Sequence, residues 1–253
     1  MSPVDPSAAI GFGRAAADYE RGRPGYPPAA IDVLTEQLGL WPRSRIVDVG
    51  AGTGKLTRAL TGRGWRVVAV EPVPGMRDQL RTAVPGVKVL DGTAEQLPFR
   101  DGSVDAVLVG QAFHWFDVEA AAAEIARVLV PRGGLGVIRN AWDRSVAWVG
   151  EMQALIDERR PRPSRIDSWR ERLEQTGCFS ALREEVIEHI VEIDRDALLA
   201  RVCSISFIAM LPADERAQLL IDVTRLLDRH GVGAPRTPLV TWHHTHVLWT
   251  RRT

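Results

Sequence analysis

Arg45-Ile46-Val47-Asp48-Val49-Gly50-Ala51-Gly52-Thr53-Gly54-Lys55-Leu56-Thr57 is the stretch from which the fold can be read. Ile46–Val49 is a short apolar run of the kind that forms a strand buried on both faces of a parallel sheet. It passes straight into glycines at alternate positions, Gly50, Gly52 and Gly54, and a helical pattern aligning Leu56, Ala59 and Leu60 follows at once. Strand, glycine turn and helix open a nucleotide-type crevice, where the backbone turns tightly and a ligand touches it because no Cβ intervenes. A diphosphate site would place the third glycine three residues after the second, but here the spacing is G-x-G-x-G. Asp48 would repel a pyrophosphate and suits a cationic amine or a hydroxyl. Lys55 invites a P-loop reading, which Val49 and Leu56 exclude, because that motif needs glycine and Ser or Thr at those positions.

Outward from this turn the chain alternates. Trp65–Val70 reads as a second strand ending in Glu71. An acid about 20 residues beyond the first glycine, at the carboxyl edge of the neighbouring strand, can accept hydrogen bonds from both ribose hydroxyls of a nucleoside. Pro74-Gly75 opens a helix with Met76, Leu80 and Val84 aligned, and Val87–Leu90 is a third strand leading into the loop Asp91–Phe99. Val104–Val109 is a fourth strand, running into Gly110-Gln111-Ala112-Phe113-His114-Trp115-Phe116-Asp117. Val118–Leu129 is an amphipathic helix closed by Pro131-Arg132-Gly133-Gly134, and Leu135–Arg139 is a fifth strand. Strand and helix in alternation predict a parallel sheet covered on both faces.

Both ends of the chain depart from this rhythm. In residues 1–30, Phe12, Tyr19, Arg23 and Tyr26 punctuate an Ala-, Gly- and Pro-rich segment, which either straps the core or forms a flap over a ligand; a helix starts near Pro28 and stops at Gly39. After Asn140, Trp142, Trp148 and Val149 lead a helix that runs up to the break Pro161-Arg162-Pro163, and Trp169–Gln175 is a short helix. Arg183–Val191 alternates as a strand, Asp196–Met210 and Ala213–Arg229 are helical, and Val240–Trp249 suits an antiparallel strand paired with Arg183–Val191. The stripe Val202, Ile205, Ile208 and Ala209 reads as core, or as the lining of an apolar pocket if this segment is a lid.

Composition sets the outer bounds. The 253 residues carry 32 basic and 32 acidic side chains, so no electrostatic footprint for nucleic acid or an acidic membrane surface is expected. The two cysteines, Cys178 and Cys203, form no metal spacing or disulfide framework and read as buried small hydrophobes. With no signal-like leader and no membrane-length apolar run, a cytoplasmic location is expected.

Val47-Asp48-Val49-Gly50-Ala51-Gly52-Thr53-Gly54, then Glu71, then Gly92-Thr93-Ala94-Glu95 with Leu97-Pro98-Phe99, resembles the methyltransferase type 11 branch of the class I S-adenosylmethionine (SAM) dependent methyltransferases. The resemblance implies a Rossmann-like α/β fold: a seven-stranded, mostly parallel sheet with helices on both faces and the last strand antiparallel. It implies one domain over residues 1–253, with an N-terminal flap (1–30), a SAM-binding core (31–140) and a C-terminal half (141–253) whose helical insertion, residues 196–229, forms part of a lid. SAM is the implied cofactor, giving S-adenosylhomocysteine (SAH). Its implied contacts are Asp48, Gly50, Gly52, Gly54, Glu71, Pro72, Met76, Thr93, Ala94, Glu95 and Gln111, with Tyr19 and Arg23 reaching from the flap; Val73 would join Pro72 and Met76 against the adenine. Phe12, Tyr19, Arg23-Pro24 and Tyr26-Pro27, together with Gln111–Asp117, look like a small-molecule subgroup that includes trans-aconitate and fatty-acid carboxyl methyltransferases.

Methyl transfer from a sulfonium requires the nucleophile to be held in line. Gln111, His114 and Trp115, all hydrogen-bond donors after the fourth strand, could aim a carboxylate, which needs no deprotonation at neutral pH. A phenol, alcohol or amine would need a base instead, and His114 is the candidate, unless it is simply a hydrogen-bonded structural histidine. The acceptor is therefore expected to be a small, partly apolar molecule methylated on a carboxylate oxygen. Hydroxyl O- or N-methylation, or SAM binding without catalysis, are the rivals. His243, His244 and His246 alternate across a strand and suggest no metal site. The protein is expected to be a monomer or homodimer.

Overall fold

The structure, a computed structural model, describes residues 24–160, 168–233 and 238–253. Tyr19, Arg23 and most of the expected flap lie outside the described residues, as does the break at Pro161-Arg162-Pro163.

Parallel strands β1 (Arg45–Val49), β2 (Arg66–Val70), β3 (Lys88–Leu90), β4 (Val104–Gly110) and β5 (Leu129–Trp142) are separated by helices except between β3 and β4, which a loop joins, and β6 (Arg183–Ile193) and β7 (Leu239–Arg251) complete the sheet. Its order is β3-β2-β1-β4-β5-β7-β6, with β7 antiparallel to both β5 and β6. β1 pairs with β2 on one side and β4 on the other, so the strand order reverses there. A ligand crevice forms outside the strand carboxyl ends at such a switch point.

Strand alternation divides the core. Ile46, Ala106, Leu108 and Ile138 face α1 (Pro28–Gln37) and α2 (Lys55–Leu60), while Val47, Val107, Val109 and Val137 face α4 (Val118–Val128) and α6 (Trp169–Gln175). α3 (Pro74–Ala83) packs Leu80 beside Ala51 and Ala69. A third apolar cluster joins α5 (Ala147–Asp157) to the three helices between β6 and β7, through Trp148 and Met152 against Leu198, Val202, Leu219 and Val223.

Those three helices are α7 (Arg195–Cys203), α8 (Ser206–Ala209) and α9 (Ala213–Arg229). The continuous helix expected over Asp196–Met210 is thus broken. Ser204 Oγ turns back to donate to the Arg201 carbonyl, and Ile205 adopts an extended conformation (φ −69°, ψ 124°) before the chain re-enters helix. The fifth strand also differs from expectation, starting at Leu129 rather than Leu135. Leu129 pairs with Val104 and Gly134 with Ala106, so Val130–Gly133 bulge out of register, with Arg132 at φ +62°. Pro131, which lacks an N–H for the ladder, sits in that bulge.

Gly54 caps the N-terminus of α2 at φ +90°, and a Cβ there would lie 2.9 Å from Leu80 Cγ. Gly54→Ala combines a left-handed backbone with overpacking and is expected to destabilise the fold by about 2–4 kcal/mol. A urea titration should show a lower midpoint at an unchanged slope; an unchanged midpoint would mean that the turn relaxes without cost.

Candidate active site

A crevice of about 830 Å³ opens over the carboxyl ends of β1, β2, β4 and β5. Asp48, next to last in β1, lines it and is fully buried. Thr57 Oγ1 donates to Asp48 Oδ2 at 2.6 Å, while Oδ1 has no protein partner. Burial pushes the Asp48 carboxyl up to about 7; the Thr57 hydrogen bond opposes this and the nearby Glu71 charge adds to it. Glu71, just past β2, is also buried, and one carboxylate oxygen accepts from the Gly52 N–H (2.8 Å) and the other from the Val73 N–H (2.9 Å). Burial raises its pKa, and those two N–H donors hold the rise in check. The two acids are therefore set on either side of the glycine turn. A Cβ added at Gly52 (φ +56°) would have Met76 Sδ as its nearest heavy atom, 3.7 Å away, so the backbone of the turn is left open to the crevice.

Thr93, Ala94 and Glu95 line the same crevice, on a loop held by α4. The Leu97 N–H donates to Glu124 (2.7 Å), and the Arg127 guanidinium reaches the Phe99 carbonyl (3.0 Å) and the Leu97 carbonyl (3.3 Å). Glu95 accepts from the Asp117 N–H (3.0 Å), tying this loop to the start of α4. Pro72, Val73 and Met76 form the adjoining wall.

At the end of β4, a Cβ on Gly110 would fall 2.7 Å from the Tyr26 hydroxyl, so glycine is what allows Tyr26 to lie against the strand end. Asn140 Nδ2 donates to the Gly25 carbonyl (2.9 Å), fastening the segment ahead of α1 across the crevice mouth. Gln111 holds φ +58°, a strained backbone for a residue with a side chain, and its Nε2 donates to the Asn140 carbonyl (2.9 Å). That side-chain amide thus braces β4 against β5. Phe113–Trp115 form one turn of 3₁₀ helix. Phe113 drops into the core against Phe116 and Trp169, whereas His114 and Trp115 stay half-buried in the crevice wall, ring centroids 4.8 Å apart.

The charges that line the crevice divide by element. Asp48, Glu71, Glu95 and Asp117 come from β1, the end of β2 and the loops after β3 and β4, with Lys55 of α2 and Arg172 of α6 among them; Arg139, Arg144, Arg160 and Arg201 come from β5, α7 and the two ends of α5. Arg144 and Arg160 share the single carboxylate of Asp157. Arg201 is 8% exposed, with its guanidinium carbon 3.7 Å from the Trp142 ring centre and Nη1 3.2 Å from His243 Nε2. Burial, with the Arg201 charge, drives the His243 pKa down to about 3, so this imidazole is neutral and accepts from the arginine. No local pattern in the sequence singles out Arg201 or Asn140, because only the β5–β7 pairing and the return of α7 bring them to the site. His244 meets Glu188 directly across the strands (3.7 Å), and His246 meets Glu184 on the diagonal (2.6 Å).

These features fit SAM. A buried acid keeps an oxygen without a protein partner at the crevice, a second acid adjoins an open glycine turn, and an apolar wall follows. Fold and crevice together define a class I, Rossmann-like SAM-dependent methyltransferase. Residues 47–137 match the methyltransferase domain model of the type 11 branch. An uncharacterized methyltransferase of Mycobacterium tuberculosis is 42% identical over 221 residues, 87% of each chain, and one from Schizosaccharomyces pombe is 34% identical over 212 residues, 83% of this chain and 84% of that one. A solved structure of a candidate type II methyltransferase from Anaeromyxobacter dehalogenans shares the fold, with a TM-score of 0.67 at 24% identity over 90% of this chain and 97% of that one. The chain belongs to the type 11 methyltransferase family and uses SAM as its cofactor. Among the described residues no helix is long and apolar enough to cross a membrane.

Proposed function

We propose that this enzyme methylates a carboxylate oxygen of a small, partly apolar acid. The observation that carries the reading is the division of charge lining the crevice, mostly acidic on β1, the end of β2 and the loops after β3 and β4, and arginine on β5, α5 and α7. The acidic lining suits the cationic amine and ribose hydroxyls of the cofactor, and the arginines suit an anionic acceptor. Asp48 and Glu71 would hold SAM by those groups, with Gly50, Gly52 and Gly54 giving the backbone approach and Pro72, Met76, Thr93, Ala94 and Glu95 enclosing the adenine. When bound, SAM supplies an electrophilic methyl group: the acceptor O–C bond forms as the C–S bond breaks, the electron pair goes to sulfur, and a carboxylate has no proton to lose. The chain's task is to aim the acceptor and exclude water. Gln111 is braced on Asn140 and so fixes the strand end, and His114 and Trp115, in the wall beside it, would aim the acceptor. We assign α7–α9 to a lid, since they pack on α5 in a cluster of their own and add Arg201, Ile205 and Phe207 to the crevice. Tyr26 and Gly25 hold the segment just ahead of α1 against the ends of β4 and β5. A malonyl-[acyl-carrier protein] O-methyltransferase from Serratia marcescens, 32% identical over 160 residues and covering 61% of this chain and 60% of that one, supports oxygen as the acceptor atom.

A panel of carboxylic acids, phenols, alcohols and amines with methyl-labelled SAM tests the reading. Label should enter acids alone and be released by mild alkali, as esters are; transfer only to amines or phenols would reject it. His114→Ala separates aiming from base catalysis. Loss of an aiming hydrogen bond should cost about tenfold in kcat/KM at every pH from 6 to 9, whereas loss of a base would cost about 10²–10⁴-fold and remove a titrating limb.

A further inference from the structure

Asn140, in the crevice wall, is held on three sides at once. Its Nδ2 donates to the Gly25 carbonyl (2.9 Å), its Oδ1 accepts from Thr245 Oγ1 (2.6 Å), and its backbone carbonyl accepts from Gln111 Nε2 (2.9 Å). Chemistry settles how the amide is turned: the Gly25 carbonyl can only accept, so the nitrogen faces it and the oxygen faces the hydroxyl. Thr245 has one hydroxyl proton and gives it to Asn140, so His189 Nδ1, 3.1 Å from that hydroxyl, must be a donor to it. Residue 140 therefore joins the segment ahead of α1, the end of β4 and, through β7, the edge strand β6.

Gln111 shows what the third of these bonds does. β4 ends at Gly110, whose partner is Ile138, and the Gln111 N–H still donates to the Ile138 carbonyl (3.0 Å). In a parallel ladder the next bond, to the Asn140 carbonyl, would come from a backbone N–H two residues further along β4. The Gln111 side chain makes that bond instead, which lets the chain leave the sheet at φ +58° and enter the 3₁₀ turn Phe113–Trp115 in the crevice wall. A positive φ on a residue with a side chain persists only where its surroundings hold it, and here the Asn140 carbonyl helps to hold it. We propose that Asn140 is a positioning residue for methyl transfer. Its side chain, pinned between Gly25 and Thr245, fixes the peptide whose carbonyl seats Gln111, so that closing the segment ahead of α1 and aligning the turn that carries His114 and Trp115 are one event. Pro24 and Tyr26 of that segment line the same crevice. The inference requires methyl transfer but not a carboxylate acceptor.

The test uses the acceptor from the panel above that wild-type enzyme methylates fastest, at saturating SAM. Asn140→Ala is expected to lower kcat about thirtyfold, with acceptor KM and SAH affinity within about threefold of wild type, because the nucleophile is misaligned rather than unbound. Gln111→Ala should do the same, and the double variant should be no slower than the slower single, since both substitutions break one unit. Asn140→Asp carries the sharpest signature. As a carboxylate it sets an oxygen against the Gly25 carbonyl and should be as slow as Asn140→Ala at pH 8. Once protonated it offers one donor and one acceptor, like the amide, so its kcat relative to wild type should recover about fivefold by about pH 5.5. Asp48, His189 and the crevice arginines are common to both proteins and cancel in that ratio. Amide exchange in the SAH complex reads the coupling without turnover. Asn140→Ala should speed exchange across residues 111–116 about tenfold, although the side-chain bonds it removes go to Gly25 and Thr245. A wild-type kcat in Asn140→Ala, a flat ratio for Asn140→Asp, or faster exchange confined to residues 25–33 overturns the inference. So does a joint fall in kcat, acceptor binding and SAH affinity, which would make Asn140 a structural residue only. If no acid is methylated the carboxylate reading fails, and a phenol, alcohol or amine that takes the label serves equally here. With no acceptor at all, exchange decides: unchanged rates across residues 111–116 in Asn140→Ala reject the coupling.

Discussion

Glu71→Ala is expected to weaken SAH binding at least a hundredfold, measured by calorimetry. Both carboxylate oxygens are engaged, one by the Gly52 N–H and one by the Val73 N–H, and each retains a lone pair for a ribose hydroxyl. The substitution therefore removes two ligand contacts to a charged acceptor, about 1.5–3 kcal/mol each, and frees the turn whose backbone lines the crevice. Glu71→Gln should rescue little. Whichever way its amide is turned, an NH₂ group faces either the Gly52 or the Val73 N–H, donor against donor. Retention of affinity within threefold in Glu71→Ala would show that the cofactor does not use this acid.

The second large effect concerns Asp48 and has a proton as its signature. Its carboxyl is held near 7, mainly by burial, so at neutral pH about half of the ligand-free molecules carry it protonated. A cationic amine brought to the unpartnered Oδ1 favours the ionised form, so SAM binding at pH 7 should release about half a proton. The apparent binding enthalpy will then vary with the ionisation enthalpy of the buffer, and this variation should vanish in Asp48→Asn and above pH 9. Above pH 8, Asp48→Asn should also cost at least thirtyfold in affinity for SAM. Folding gives an independent check. Because the folded-state pKa lies above the ordinary value of 3.8, the native protein holds a proton that the unfolded chain has lost. That contribution is fully present below pH 4 and is lost as pH rises through 7, amounting to a few kcal/mol. Glu71, raised by burial as well, acts in the same direction. Asp48→Asn should flatten the decline, and a slope unchanged by the substitution would refute the assignment.

The cofactor half of the molecule is legible in the sequence because its signals are local. The run Ile46–Val49, the glycine triplet and Glu71 each depend on neighbours within one βαβ unit, and the strands and helices predicted from Ile46 to Val128 lie within a residue or two of those observed. Legibility ends where partners come from far along the chain. The sequence marks Pro131–Gly134 as a helix stop, whereas the structure makes it a bulge because Leu129 is already paired with Val104. Asp196–Met210 has helical periodicity throughout, and the break shows only in the structure, where the Ser204 hydroxyl bonds back to the Arg201 carbonyl and Ile205 is extended. Gln111 reads from sequence as a donor toward the acceptor. Its bond to the Asn140 carbonyl requires the parallel pairing of β4 with β5, which periodicity does not encode in register. His244 and His246 are remote from any carboxylate along the chain, yet β6 brings Glu188 opposite His244 and Glu184 diagonally across from His246 over a gap of more than fifty residues.

The sheet order has a consequence for how the molecule is made. β7 lies between β5 and β6, so β6 has no neighbour until β7 has been synthesised. About 60 residues separate the end of β6 from the end of β7, which is roughly 3–12 s of translation. For that interval the nascent chain holds a finished strand with both edges open and with Val186 and Ile190, which stay exposed even in the native state, beside them. Such a strand is a template for pairing with another nascent chain. Glu184, Glu185, Glu188 and Glu192 are interleaved with its apolar residues, and like charges facing one another across an intermolecular pair would oppose that association until β7 arrives. Two of these glutamates, Glu184 and Glu188, which later meet His246 and His244, would thus first act as guards on the ribosome.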